Sequence, residues 1–244
     1  MKSRAHQETD IEGQATLEVI SEADKFNEWM YNTIKPFCSG NILEVGSGIG
    51  NISKFFLKEG YNITLSDIRQ NYCDYLKTHF KLFPNLLDII RLDLVDPDFD
   101  KKFNHFKTGF NTIFSLNVVE HIKNDVLALK NAKYLLKKGG NLIILVPAYP
   151  FLYNEFDKAL GHYRRYTKKK LHHILIENNF SIVHTQYFNL AGTLGWFVSG
   201  KLQKNETIPG GQMKLYDQLV PLFKILDKLI INSAGLSIIA VGQK

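Results

Sequence analysis

Three glycines, Gly46, Gly48 and Gly50, stand at alternate positions behind the apolar run Asn41–Val45 and ahead of a helical pattern. Glycine lets backbone approach a ligand closely, and free N–H groups at a helix N-terminus attract negative or polar groups. Such a loop at the carboxyl end of a strand is where open α/β sheets bind ligands. Two details narrow the ligand. A dinucleotide fingerprint has Gly or Ala at its sixth position, where helix and strand touch, and this chain has Asn51. Glu44 also lies at the strand end, where its carboxylate would repel a pyrophosphate but attract an ammonium group. Both details count against a nicotinamide-dependent oxidoreductase.

Asp67 follows the second apolar run, Asn62–Ser66. Its carboxylate can accept both ribose hydroxyls of an adenosine, each charge-assisted bond contributing roughly 1.5–3 kcal/mol. Asp93-Leu94 follows the third run, Leu87–Leu92, in a position suited to an adenine edge. Asp67 as a mere helix cap and Asp93 as a solvent-facing carboxylate remain the structural alternatives. Other chemistries lack their residues. No Gly-Lys-Ser/Thr phosphate loop and no Gly-x-Ser-x-Gly elbow occurs. Adjacent His172 and His173 cannot both face one metal from a helix, and no metal site is expected.

For proton transfer the chain offers His121, behind the fourth run Asn111–Leu116, and His162 with Tyr166 in DKALGHYRRY at Asp157–Tyr166. That segment follows the fifth run, Asn141–Val146, so it reads as one wall of an acceptor pocket. Tandem Arg164-Arg165 suits capture of a carboxylate or phosphate, and Tyr153 suits stacking or hydrogen bonding. A solvated basic turn with aromatic rings in the core is the alternative.

Positioning these groups requires a sheet. Helical segments fall between most of the five runs, at Ile49–Glu59, Gln70–Phe80 and Asp125–Leu136, with Gly139-Gly140 read as a C-terminal cap. Strands alternating with helices imply parallel pairing and a sheet covered on both faces. Asp93–Phe110 shows no helical period. Thr167 is placed to cap a helix over Lys168–Asn178, Ser181–Phe188 reads as a strand, and Leu215–Ile231 reads as a helix broken early by Pro221. Leu236–Val241, after a turn at Gly235, is the seventh strand and is expected to be antiparallel. Apolar residues from Ala15 to Lys35 recur at helical spacing up to Pro36, predicting one amphipathic helix. The expectation is one doubly wound α/β domain over 1–244, with a helical cover at 1–36, a cofactor-binding half at 37–148 and an acceptor-side half at 149–244.

The chain has 244 residues, 45% hydrophobic and 22% charged, within the soluble globular class. A net charge of +6 favours anionic partners without choosing among them. Cys38 and Cys73 form neither a disulfide framework nor a zinc site, which fits a reducing cytoplasm. The polar first fourteen residues lack the apolar core of a signal peptide, and no run of about 18 uncharged apolar residues suggests a transmembrane segment.

Taken together, ILEVGSGIG (Ile42–Gly50), ITLSDI (Ile63–Ile68), RLDL (Arg91–Leu94), FNTIFSLNVVEHI (Phe110–Ile122) and LLKKGGNLIILVPA (Leu135–Ala148) resemble a class I S-adenosylmethionine-dependent methyltransferase. The resemblance covers most of the first 150 residues, in the family's order. It implies a mostly parallel, seven-stranded Rossmann-like sheet with S-adenosyl-L-methionine as donor and S-adenosyl-L-homocysteine as product. Glu44, Gly46, Ser47 and Gly48 would hold the methionine portion, Asp67 with Ile68 the ribose, and Asp93 with Leu94 the adenine. Asn117 and Val118 would line the donor near its sulfonium. Asn111 departs from the aspartate that many relatives carry before the fourth strand, away from the donor. Pro147–Thr167 resembles a bacterial and archaeal subgroup without an assigned substrate.

The reading that follows is methyl transfer to an oxygen or nitrogen of a small-molecule, sugar or lipid-linked acceptor. A non-catalytic S-adenosylmethionine-binding sensor or assembly module is the alternative. Nucleic acid is disfavoured: the fourth strand lacks an Asn-Pro-Pro-Tyr-like turn, neither cysteine follows a proline, and no aromatic-interleaved basic repeat occurs. Gly192–Val198, apolar and glycine-broken, reads as a lid, core or a peripheral membrane contact.

Overall fold

The structure, a computed structural model, describes residues 11–197 and 210–244. β1 (Ile42–Val45), β2 (Ile63–Asp67), β3 (Leu86–Arg91), β4 (Phe110–Leu116), β5 (Leu136–Pro147), β6 (Ser181–Phe188) and β7 (Ser237–Gln243) form one sheet, ordered β3-β2-β1-β4-β5-β7-β6. The first five strands pair in parallel, and β7 runs antiparallel between β5 and β6. The expected doubly wound sheet with an antiparallel last strand is therefore present. β1 is buried at all four residues, as a strand covered on both faces must be.

One face carries α2 (Asp24–Ile34), α3 (Ser53–Lys58), α4 (Gln70–Phe80) and α10 (Gly210–Leu229) over a core that includes Trp29, Ile34, Phe56, Leu76 and Val220. The other carries α5 (Phe99–Lys102), α6 (Asp125–Leu135) and α8 (Lys168–Glu177) over Phe99, Leu129, Ala132, Leu171 and Leu175. α1 (Ile11–Ser21), α7 (Glu155–Ala159) and α9 (Leu190–Trp196) complete the helices of the described residues.

Four local expectations change. The single helix over Ala15–Lys35 is two, α1 and α2, broken at Glu22-Ala23, where the Ala23 N–H bonds the Ile20 carbonyl. Gly139-Gly140 is not a helix cap: α6 ends with Leu136 already extended, and the glycines lie within β5. There the β4–β5 register shifts, and Gly139 takes φ +77°. Pro221 does not end α10, which runs through it from Gly210 to Leu229. The Asp93–Phe110 crossover does contain a helix, the single turn α5. The Thr167 cap is present, its hydroxyl accepting the Lys170 N–H at 3.1 Å. Among the described residues, no helix is long and apolar enough to cross a membrane.

Candidate active site

The ends of β1, β2 and β4 converge on the glycine loop. The N–H groups of Gly46 and Ser47 both bond the Ser66 carbonyl, at 2.9 and 2.8 Å, stitching the loop to β2. Gly46 and Gly48 take φ of +76° and +55°, so both use the left-handed freedom of glycine. A Cβ on Gly46 would lie 2.3 Å from Val118 Cγ2, and one on Gly48 would lie 2.9 Å from Leu17 Cδ1. The loop is thus pressed between the residue after β4 and helix α1. Asn51 fastens that helix by donating its side-chain N–H to the Leu17 carbonyl at 3.0 Å.

Two buried carboxylates face this loop. Asp67 accepts the Gly48 N–H at 3.1 Å and the Arg69 N–H at 2.9 Å. Burial nevertheless raises its pKa, so these backbone donors leave ionisation incompletely compensated. Glu44 accepts a hydrogen bond from the Ser53 hydroxyl. Burial pushes its pKa up to about 7, against the hydroxyls of Ser53 and Ser47 and with a smaller upward push from Asp67. Desolvated carboxylates beside the glycine loop are poised for a ligand that brings hydroxyls and a positive charge. These residues fit S-adenosylmethionine, which when bound supplies an already activated methyl group. Asp93 is half-buried and accepts the Val95 N–H at 2.9 Å, while Leu94 is buried. Ile68 is half-buried beside Asp67, and its carbonyl accepts from Arg91 Nε at 3.0 Å. Asn117 is exposed, with φ +54°.

If Glu44 holds the donor's ammonium, as the resemblance implies, it sets a pH dependence. Pairing with the donor's ammonium requires the ionised carboxylate, whereas the free protein keeps its proton up to about pH 7. Affinity for S-adenosylhomocysteine should therefore fall as pH drops below about 7, by at most about tenfold per unit, and level off above it. In the free protein, the raised pKa contributes stability that is fully present below the ordinary glutamate value and lost as pH rises through about 7. Calorimetric titration between pH 5.5 and 8.5 checks the binding arm. A flat profile in that range, or the same slope in Glu44→Gln, removes Glu44 from the donor site.

On the acceptor side the structure builds a buried polar cluster. Asp157, in α7, is fully buried and accepts from both Arg165 Nε (2.9 Å to each oxygen) and His162 Nδ1 (2.7 Å). Burial pushes the Asp157 pKa up, but His162 and Arg165 outweigh it and hold the group below the usual carboxylate range. An ionised Asp157 only accepts, so the His162 Nδ1 carries a proton and the ring turns its Nε2 the other way. That Nε2 faces Glu120, 4.0 Å away, and the His162 ring meets His121 edge-on at 4.6 Å. Burial pulls His121 down to about 3, leaving it neutral at physiological pH.

The expected site residues are therefore not all brought together. His121 and His162 meet, and Tyr153 supports them by donating its hydroxyl to the His162 carbonyl at 2.7 Å. Tyr166 is fully buried and donates to Asp125 Oδ2 at 2.9 Å, a packing position rather than a catalytic one. The arginines do not form one anion fork. Arg164 pairs with Asp125 at 2.7 Å, and Arg165 is committed to Asp157 and to the Ala148 carbonyl. Asp157 and Glu120 were missed as site residues. Glu120 immediately precedes His121 in VVEHI, and that adjacency was the signal available for it.

A glycine loop between β1 and α3, acidic residues at successive strand ends and a reversed last strand define an α/β enzyme that binds an adenosine-bearing donor. A family profile described as a methyltransferase domain matches residues 23–185, and the chain belongs to that family. The family is one of methyltransferases, and the buried carboxylates at the strand ends fit S-adenosylmethionine as the donor. A SAM-dependent methyltransferase from Archaeoglobus fulgidus shares the fold with TM-score 0.58 at 14% identity, over 89% of this chain and 94% of that chain. Geranyl diphosphate C-methyltransferase from Streptomyces coelicolor A3(2), in complex with Mg2+, geranyl diphosphate and S-adenosylhomocysteine, superposes with TM-score 0.59 at 9% identity, over 88% of this chain and 77% of that one. The highly reducing polyketide synthase otaA of Aspergillus carbonarius (strain ITEM 5010) is 27% identical over 124 residues, 46% of this chain. This chain spans only 5% of that protein's length.

Proposed function

We propose that the enzyme methylates an oxygen or nitrogen of a lipid-linked acceptor, a sugar or headgroup presented at an anionic membrane surface. The observation that carries this reading is on α10. Leu215, Leu219, Leu222, Leu226 and Leu229 are 38–73% exposed, and their alternating four- and three-residue spacing puts them on one stripe of the helix. Soluble monomers rarely expose so long a contiguous apolar strip. Lys214, Lys224 and Lys228 on the same helix, with a net charge of +6, suit anionic headgroups.

The strip reaches toward the acceptor side through α9, which packs on α10 and exposes Leu194 (71%), with Phe197 (41%) exposed just after it. Within Gly192–Val198, Trp196 behaves as core: its ring lies 4.9 Å from Phe156 and 4.8 Å from the Arg165 guanidinium. Val198 lies outside the described residues. The polar acceptor wall at His121 and His162 favours a heteroatom whose proton must be removed. The fold also serves carbon methylation, as the geranyl diphosphate enzyme illustrates. The methylated atom is therefore read from the product by tandem mass spectrometry.

Sedimentation with phosphatidylglycerol vesicles, against phosphatidylcholine vesicles, is the test. The enzyme should pellet with the anionic vesicles, and Leu222→Asp with Leu226→Asp should weaken that binding at least about tenfold, since a buried leucine contributes about 1.5–3 kcal/mol. Methyl-labelled donor should then carry its label into the lipid-extractable fraction. No vesicle binding, with label entering water-soluble acceptors only, would return the acceptor to the small soluble molecules.

A further inference from the structure

A carboxylate with no hydrogen-bond partner is costly to bury, and the acceptor side contains one. Glu120 is completely buried, and neither of its carboxylate oxygens has a hydrogen-bond partner. Its neighbours are two imidazoles. One ligand atom from each of Glu120, His121 and His162 lies within 4.8 Å of the others, and the Glu120 oxygen is 4.0 Å from His162 Nε2, too far for a hydrogen bond.

We propose that Glu120, His121 and His162 bind a divalent first-row transition ion of the zinc type. Two imidazole nitrogens and one carboxylate oxygen suit a zinc-type ion such as Zn2+ or Co2+, whereas Ca2+ and Mg2+ prefer all-oxygen shells. Bonds of about 2.0–2.2 Å put neighbouring ligand atoms roughly 3–3.5 Å apart, so the set must close by about an ångström around the ion.

The surroundings fit a metal centre in three respects. Asp157 holds the His162 Nδ1 proton at 2.7 Å, the carboxylate–histidine arrangement that aims the other nitrogen at a metal. His121 faces the backbone carbonyls of Asn117 and Leu160, so one ring nitrogen can donate there while the other coordinates. Arg165 is spent on Asp157 and makes no hydrogen bond to Glu120, whose two oxygens are left facing the ring nitrogens. Three protein ligands leave a coordination position open for water or an acceptor oxygen. Glu120 and His121 lie just past Val118, which touches the glycine loop, so the ion sits beside the donor site. There it would orient an acceptor hydroxyl and lower its pKa. That role rests on the acceptor reading above, whereas metal binding itself does not.

The test is titration of metal-stripped protein with Co2+, followed by its visible absorption, with displacement by Zn2+ and metal counting after dialysis. One ion per chain with an intense low-symmetry spectrum is expected. Glu120→Gln and His162→Asn should each weaken it on the order of a hundredfold, and His172→Asn with His173→Asn should leave it unchanged. Calorimetry with S-adenosylhomocysteine shows that each variant is folded. An unloaded wild type that binds S-adenosylhomocysteine overturns the metal site and leaves the methyltransferase reading standing. So does an ion whose affinity survives Glu120→Gln. An ion lost with Glu120, in a protein that transfers no methyl group to any lipid or soluble acceptor, sustains the site while the acceptor reading fails.

Discussion

Asp67→Ala is expected to bind S-adenosylhomocysteine roughly ten- to a hundredfold more weakly than the wild type, from the loss of charge-assisted bonds to the ribose. Asp67 is 5% exposed and its pKa is raised by burial, so the ionised side chain strains the empty protein rather than steadying it. Asp67→Asn separates the two contributions. It keeps an acceptor for only one of the Gly48 and Arg69 N–H groups, which bond different oxygens, while removing the charge. The unliganded melting point of Asp67→Asn should stay close to that of the wild type, because relief of the buried charge offsets the one lost bond, although affinity falls. With ligand at a hundred times the wild-type Kd, the wild type gains about 2.7 kcal/mol of stability, and a variant weakened a hundredfold gains about 0.4 kcal/mol. Thermal unfolding with and without ligand, paired with calorimetry, reads both quantities. Affinity within twofold of wild type in Asp67→Ala would place the ribose elsewhere.

The glycine loop and the strand ends around it are legible in the sequence because their signals are local. A β-branched run followed by spaced glycines fixes a strand, a turn and a helix start within ten residues, and Glu44 and Asp67 sit in that frame by adjacency alone. The acceptor side is built from distant pairings, which no spacing encodes. Arg164 and Arg165 read as a tandem fork, yet Asp125, some forty residues upstream, takes one and Asp157 takes the other. Tyr166, read beside His162 as a catalytic group, turns its hydroxyl into that same Asp125. The fold shows the same division. Apolar period carries through Glu22-Ala23 without interruption, so the break between α1 and α2 was invisible. Gly139-Gly140 has the composition of a helix cap, but β5 begins at Leu136 and claims both glycines through a register shift against β4. Leucines on α10 satisfy a helical period equally well facing a core or facing outward, and only their exposure distinguishes the two.

Asp157 joins these distant pairings, and its replacement by Ala is expected to be the most destabilising single change on the acceptor side. Asp157 and Arg165 have side chains 0% and 1% exposed, so removing the carboxylate strands a guanidinium in the interior. Breaking a buried pair from one side costs about 3–5 kcal/mol, or about 6–20 °C of melting temperature at this chain length. Two companions identify the cause. Asp157→Ala with Arg165→Met removes both charges and should recover most of the loss, because an apolar pair of similar volume replaces an ion pair at little cost. Asp157→Asn keeps the shape and an acceptor for Arg165, and should lie much closer to wild type in stability. Its amide, however, can donate to His162 Nδ1, which takes away the acceptor that fixes a proton there and so changes what the ring presents to Glu120. Methyl transfer in Asp157→Asn should then fall at least about tenfold while the fold persists. Urea unfolding at constant m-value, with turnover measured on the same preparations, separates the two roles. If Asp157→Ala unfolds within about 1 kcal/mol of wild type, Arg165 finds solvent without its partner and the cluster is not a buried ion pair. If Asp157→Asn turns over at the wild-type rate, the proton that Asp157 fixes on His162 Nδ1 has no part in the reaction.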